Sequence, residues 1–182
     1  NNYLLGEEYP AFDLLYWNGD TTNLPARWHK NYLRDLYRDN KLVVPDALSA
    51  DGTPIDLTRI HTPAYIQAGR EDHISPPESV FRMTHHLRGP MRFVLAGSGH
   101  IAGVVNPPDA KKYQYWINEK PCNTLDEYAA GAAEHPGSWW PDWVEWIRGH
   151  GGKAVPARGK RKPGGKNDPT IEPAPGSYVR TR

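Results

Sequence analysis

At 182 residues, 38% hydrophobic and 11% aromatic, the chain is long enough for one domain with its own core, and wholesale disorder is excluded. No apolar run approaches the roughly 18–20 residues needed to cross a bilayer, so no transmembrane segment is expected. The net charge of +1 conceals an asymmetry: residues 151–182 hold eight Lys/Arg against Asp168 and Glu172, whereas 1–150 hold 14 basic against 19 acidic residues. An acidic body with a basic tail is not the footprint of a nucleic-acid-binding domain.

The chain opens Asn1-Asn2-Tyr3-Leu4-Leu5-Gly6, with neither an initiator Met nor a basic leader, and reads as an interior segment of a longer protein. Asn23-Leu24-Pro25 predicts a helix start, and the stretch 25–40 places Trp28, Tyr32, Leu33, Leu36 and Tyr37 on one face. That pattern predicts an amphipathic helix facing the core, ended by Val43-Val44-Pro45. A strand is expected over 62–68, followed by the polar loop Gly69 to Pro77 and a helix over 78–87. A second strand over 91–95 runs into Gly97-Ser98-Gly99-His100. Strand, loop, helix, strand, loop predicts an α/β fold with a mostly parallel sheet, whose active crevice lies just past the carboxyl ends of the strands. Asp72 and His100 both occupy that position.

Further along, Thr124-Leu125-Asp126-Glu127 has the capping-box pattern and predicts a helix from 125 to about 134, broken by Pro136-Gly137. Trp139, Trp143 and Trp146 fall on one helical face, predicting a packed C-terminal helix with Pro141 near its start. From 150 the composition turns to Gly, Pro, Lys and Arg, as in a flexible tail or linker; its cluster from Arg158 to Lys166 lacks interleaved aromatics and reads as solvated.

The order Asp72 then His100 is that of the last two members of an α/β-hydrolase triad. A carboxylate accepts one imidazole N–H and leaves the other nitrogen free to take a proton from a nucleophile. No G-x-S-x-G elbow, nor its Cys version, precedes Asp72. The single cysteine, Cys122, follows His100 in Lys120-Pro121-Cys122-Asn123 without elbow glycines and is not expected to be the nucleophile. One cysteine also excludes an internal disulfide framework and a Cys-based zinc cluster, which fits a cytoplasmic setting. Ser98, beside His100 in sequence, is not placed for in-line proton transfer. His85 and His86 are adjacent and diverge on a helix, so they read as surface residues, and no metal site is expected.

Five ordered blocks carry a family resemblance. Phe12-Asp13-Leu14-Leu15-Tyr16-Trp17-Asn18-Gly19-Asp20 with Thr22-Asn23-Leu24-Pro25 resembles the cap signature of class I polyhydroxyalkanoate synthases. Arg70-Glu71-Asp72-His73-Ile74 resembles their catalytic-Asp loop, and the run from Gly97 through His100 to Pro108 their catalytic-His loop. Gly137-Ser138-Trp139-Trp140-Pro141-Asp142-Trp143 and the run Ile171 to Val179 complete the match. Two departures stand out: the G-x-C-x-G elbow is absent, and Ser75-Pro76-Pro77 stands where the family has an aromatic residue after the proline.

The resemblance implies the C-terminal part of an α/β-hydrolase fold. Residues 1–58 would end the cap and return to the core, 59–149 would form the core, and 150–182 the basic tail with a docked terminus. It implies polymerisation of 3-hydroxyacyl-CoA, with 3-hydroxybutyryl-CoA the expected short-chain substrate, into polyester with release of coenzyme A and no separate cofactor. His100 would be the base for an upstream cysteine, Asp72 its orienting group or an activator of the 3-hydroxyl, and His73 a pocket residue. The partners implied are the growing polyester, the granule surface in the cytoplasm, and a second copy in a homodimer. An esterase, thioesterase or polyester depolymerase, or a non-catalytic granule-associated module, are the competing readings.

Overall fold

The computed structural model describes residues 6, 17–156, 170–177 and 180. The start of the cap signature before Trp17, the Arg158–Lys166 cluster and Tyr178-Val179 lie outside the described residues. The chain divides into two compact units, 1–139 and 140–182, so the division falls ten residues before the change in composition at 150.

In the first unit, α1 spans Ala26–Tyr32. It widens at Leu33–Arg38 into a π-helical turn, which the Asp39 N–H closes on the Arg34 carbonyl. No residue of either stretch is buried. Trp28 and Tyr37 are 53% and 78% exposed, so the predicted core-facing helix is corrected: its aromatic face packs on itself, Trp28 stacked on Tyr32 at 5.3 Å. Periodicity marks an apolar stripe, but burial needs a partner surface, and among the described residues none covers this one. The segment is tied by charge instead, Asp35 accepting from Arg34 and from Lys41, each at 2.8 Å.

A small hairpin follows, β1 (Leu48–Ala50) against β2 (Thr53–Ile55), turning at Asp51-Gly52. Both turn residues have positive φ, +47° and +75°, as a two-residue hairpin turn of the Asp-Gly type requires.

The main sheet holds β3 (Ala64–Gly69), β4 (Met91–Ala96), β5 (Gln114–Ile117) and β6 (Ala133–Pro136), in that order. In this sheet β3 and β4 pair in parallel, whereas β4–β5 and β5–β6 pair antiparallel. The expected mostly parallel sheet is therefore a mixed one. Between β3 and β4 lies α2 (Pro77–Phe81), prolonged by a tighter turn over Arg82–His85, so the predicted 78–87 helix is regular only in its first half. The predicted helix 125–134 also stops early. The Thr124 hydroxyl caps α3 (Leu125–Ala130) by accepting from the Glu127 N–H, but Ala133–Pro136 is already strand. A six-residue helix rises only about 9 Å, too little to carry the chain across the sheet, so β6 returns antiparallel beside β5.

One sheet face is the core. Ala68, Phe93 and Leu95 are buried there under Phe81 of α2 and Tyr128 of α3. Phe81 and Tyr128 meet Phe93 edge-on, each with ring centroids 5.0 Å away. The buried Tyr128 hydroxyl donates to the Phe93 carbonyl at 2.6 Å and accepts from the Asn118 N–H at 3.0 Å. One side chain thereby ties α3 to the backbone of the sheet. In the second unit, α4 (Trp140–His150) has no buried residue, in contrast to the packed helix predicted from its tryptophans. Residues 170–177 turn locally on Glu172, whose carboxylate accepts from the Ser177 N–H and hydroxyl.

Candidate active site

Parallel strands that pair in register deliver their following loops to the same end of the sheet. Gly69 of β3 is opposite Ala96 of β4, so the loop bearing Asp72 and the loop bearing His100 emerge side by side. They are laced together: the Arg70 N–H donates to the Ala96 carbonyl at 2.8 Å, and the Glu71 N–H to the Ser98 carbonyl at 3.1 Å. The approach is close enough that a Cβ on Gly69 would lie 3.1 Å from the Ser98 carbonyl oxygen, backbone that has little room to yield. Ser98, with φ of +77°, turns the chain out of β4. It serves the loop through its backbone.

His100 Nδ1 and Asp72 Oδ2 are 2.8 Å apart. Asp72 is buried, with 6% of its side chain exposed, whereas the His100 side chain is 47% exposed. The other carboxylate oxygen, Oδ1, accepts from the Ile74 and Ser75 N–H groups at 2.9 and 2.8 Å, an Asx-type turn that locks the carboxylate. Burial pushes the Asp72 carboxyl up. The Ser75 N–H, the His100 ring and the Ile74 N–H together outweigh it and hold the carboxyl below the usual range. An ionised Asp72 accepts a hydrogen bond from Nδ1–H, leaving Nε2 of the exposed ring with a lone pair. Chemically this is an imidazole held by an ionised carboxylate, with its open nitrogen able to take a proton from a group brought to that side.

The remaining residues singled out from the sequence lie elsewhere. His73 follows Asp72 but is exposed on the loop. Pro77, where the family pattern has an aromatic, is buried at the first position of α2, where its fixed φ suits a helix start. Cys122 follows β5, which runs back toward the amino end of β4, so it lies on the side of the sheet away from the Asp72–His100 end. Its thiol donates to the Lys120 carbonyl at 3.3 Å, and it lines a cavity of about 500 Å³ with Met91, Phe93 and Tyr128. His85 lines that cavity, and His100 does not. His85 is exposed and set edge-on to Phe81. Among the described residues no group of three or more His, Cys, Asp or Glu is placed to hold a metal ion.

Two contributors to the His100 loop were not recognised in the sequence. Trp139, the last residue before α4, donates its indole N–H to the Gly103 carbonyl at 2.9 Å. Asn106, 5% exposed, donates to the Lys112 carbonyl at 3.0 Å and closes the far end of the loop. The positional signal for Trp139 was there in Pro136-Gly137, which ends β6 rather than a helix.

The first unit is thus a mixed α/β scaffold that presents a carboxylate–imidazole pair at neighbouring strand ends. No protein-family model matches the chain. Curated proteins do, along its whole length. It is 47% identical to the poly(3-hydroxyalkanoate) polymerase subunit PhaC of Cupriavidus necator and of Rhizobium etli, covering 31% and 28% of those proteins. It is 44% identical to poly(3-hydroxyalkanoate) polymerase 2 of Ectopseudomonas oleovorans, covering 32% of it. Along its whole length the chain is similar to part of these polymerases, as expected for a C-terminal part of a polyhydroxyalkanoate synthase. It spans about a third of the length of these relatives.

Proposed function

We propose that this chain supplies the base, His100, and its orienting carboxylate, Asp72, to a synthase that polymerises 3-hydroxyacyl-CoA into polyester. The observation that carries the proposal is the 2.8 Å Nδ1–Oδ2 contact between a buried carboxylate and a half-exposed imidazole at the ends of paired parallel strands. The 44–47% identity to polymerases supplies the reaction class.

The nucleophile in this reading is a cysteine outside these 182 residues, presented to the open Nε2 side of His100. His100 takes the thiol proton, and the thiolate attacks the acyl thioester carbonyl. The tetrahedral intermediate then collapses, breaking the bond to the CoA sulfur, which leaves with a proton returned by His100. No further cofactor is needed, because the substrate carries its own leaving group. A role for Asp72 as orienter is favoured over direct activation of the 3-hydroxyl, since both its oxygens are already engaged. Short-chain 3-hydroxybutyryl-CoA is the substrate proposed. The same reading places the sheet in the C-terminal part of an α/β-hydrolase fold and the segment 1–58 at the end of its cap and the return to the core. It also places the protein in the cytoplasm as a homodimer at polyester granules, and the exposed Trp28, Tyr32 and Tyr37 give the cap an apolar surface for such contacts.

The test is to supply 3-hydroxybutyryl-CoA to the complete polypeptide carrying these residues, following free thiol and polymer together. Polymer with stoichiometric CoA, both lost in His100→Ala, is expected. Release of free 3-hydroxy acid in place of polymer would transfer the assignment to a hydrolase. Undiminished turnover by His100→Ala would sink it.

A further inference from the structure

We propose that Trp139 is a positioning residue for His100, acting through the Gly103 carbonyl; the inference rests on reading His100 as the base. His100 rides on one helix-like turn in which the Gly103 N–H donates to the Gly99 carbonyl at 2.8 Å and the Val105 N–H to the Ile101 carbonyl at 2.8 Å. An isolated turn of this kind is costly to form and has carbonyls without partners of its own. Gly103 is buried, and its carbonyl receives the Trp139 indole N–H at 2.9 Å, with the Gln67 amide more distant at 3.5 Å. The turn has almost no freedom on its inner side. A Cβ on Gly103 would come within 2.6 Å of the Gly99 carbonyl oxygen, within 3.2 Å of that of Ser98 and 3.3 Å of that of Gly97.

Trp139 is itself well fixed. It is 8% exposed and stacks on Tyr65 of β3 with ring centroids 5.9 Å apart. It follows β6, whose end is pinned where the Gly137 N–H donates to the Tyr113 carbonyl at 2.8 Å. β6 runs in the same direction as β4 and so returns the chain to the end of the sheet where His100 sits. The indole thus acts as a strut from the sheet to the turn that holds the imidazole against Asp72. A base displaced by a fraction of an ångström loses rate in the proton-transfer step while leaving substrate binding alone.

The test is Trp139→Phe in the complete, catalytically competent enzyme, which keeps an aromatic ring against Tyr65 and deletes only the N–H. The expected result is kcat lower by about 10-fold with KM unchanged. In parallel, the low-field proton resonance of the His100 Nδ1–H···Asp72 hydrogen bond, assigned by its absence in His100→Ala, should weaken or broaden. Unchanged kcat and an unchanged resonance would overturn the proposal, as would a lower kcat with the resonance intact. If Trp139→Phe melts markedly earlier than the parent, replacing Trp139 by β-(3-benzothienyl)alanine, isosteric but without the N–H, decides by the same readouts. Failure of the underlying reading is distinguishable, because His100→Ala would then retain turnover.

Discussion

The helical segment 26–38 and strand β4 are both apolar-rich, and they have opposite fates. Along β4, Val94 is completely buried and Phe93, Leu95 and Ala96 nearly so, whereas the helical segment has no buried residue. The difference lies in what surrounds each. β4 sits between two strands, with α2 and α3 closing one face and the loop of Gly103 and Trp139 meeting the other. The helical segment has an apolar stripe without a described covering surface. Chemistry belongs on the first kind of element, since an imidazole must stay within a few tenths of an ångström of its carboxylate. An exposed aromatic stripe offers an apolar contact surface.

That contrast can be broken most sharply at the site. Asp72→Asn should lower turnover by about 10³- to 10⁴-fold, because the amide no longer fixes the imidazole tautomer, while the fold persists. Activity within a few-fold of the parent would mean that the strand-end pair is structural. The same variant sharpens the electrostatics. The Asp72 carboxyl is depressed in the folded state, so its contribution to stability is present above the unfolded carboxylate range and is lost as pH falls through the folded value. Melting temperatures taken from neutral pH down into the carboxylate range should therefore fall less steeply for Asp72→Asn than for the parent.

Next in size is the core under β4. Phe93→Ala removes the ring shared by Phe81 and Tyr128 and should cost about 3–5 kcal/mol in denaturant unfolding. Tyr128→Phe keeps the ring but strands the Phe93 carbonyl and the Asn118 N–H, at a cost of about 1–3 kcal/mol. At the small end, Trp28→Ala and Tyr37→Ala should change unfolding free energy by less than about 0.5 kcal/mol. A loss of several kcal/mol from either would show that the aromatic stripe is covered in solution, and the comparison between the two regions would collapse.

Much of the site was legible without coordinates. Asp72 and His100 stood out because each follows an apolar strand pattern by four or five residues, and the flanking motifs carried the family resemblance. The parallel pairing of β3 and β4 then brings the two loops together. Short-range signals held where they were strong: the Thr124 cap and the start of β4 at Met91. One strong local signal, Asp51-Gly52, marked the β1–β2 hairpin and was passed over.

What the amino-acid order determined by itself was local: which stretches could be strand or helix, where turns were forced, and which side chains have the chemistry of an acid–base pair. Tertiary structure decided the rest. β5 and β6 are four residues each, too short for periodicity to declare them, and only pairing with β4 makes them strands. Burial of the 26–38 stripe depends on a surface that the stripe cannot encode. Trp139 reaches Gly103 only because two antiparallel strands carry the chain back to the His100 end of the sheet. Hydrogen bonds between residues 36 positions apart are consequences of topology, and no local pattern contains them.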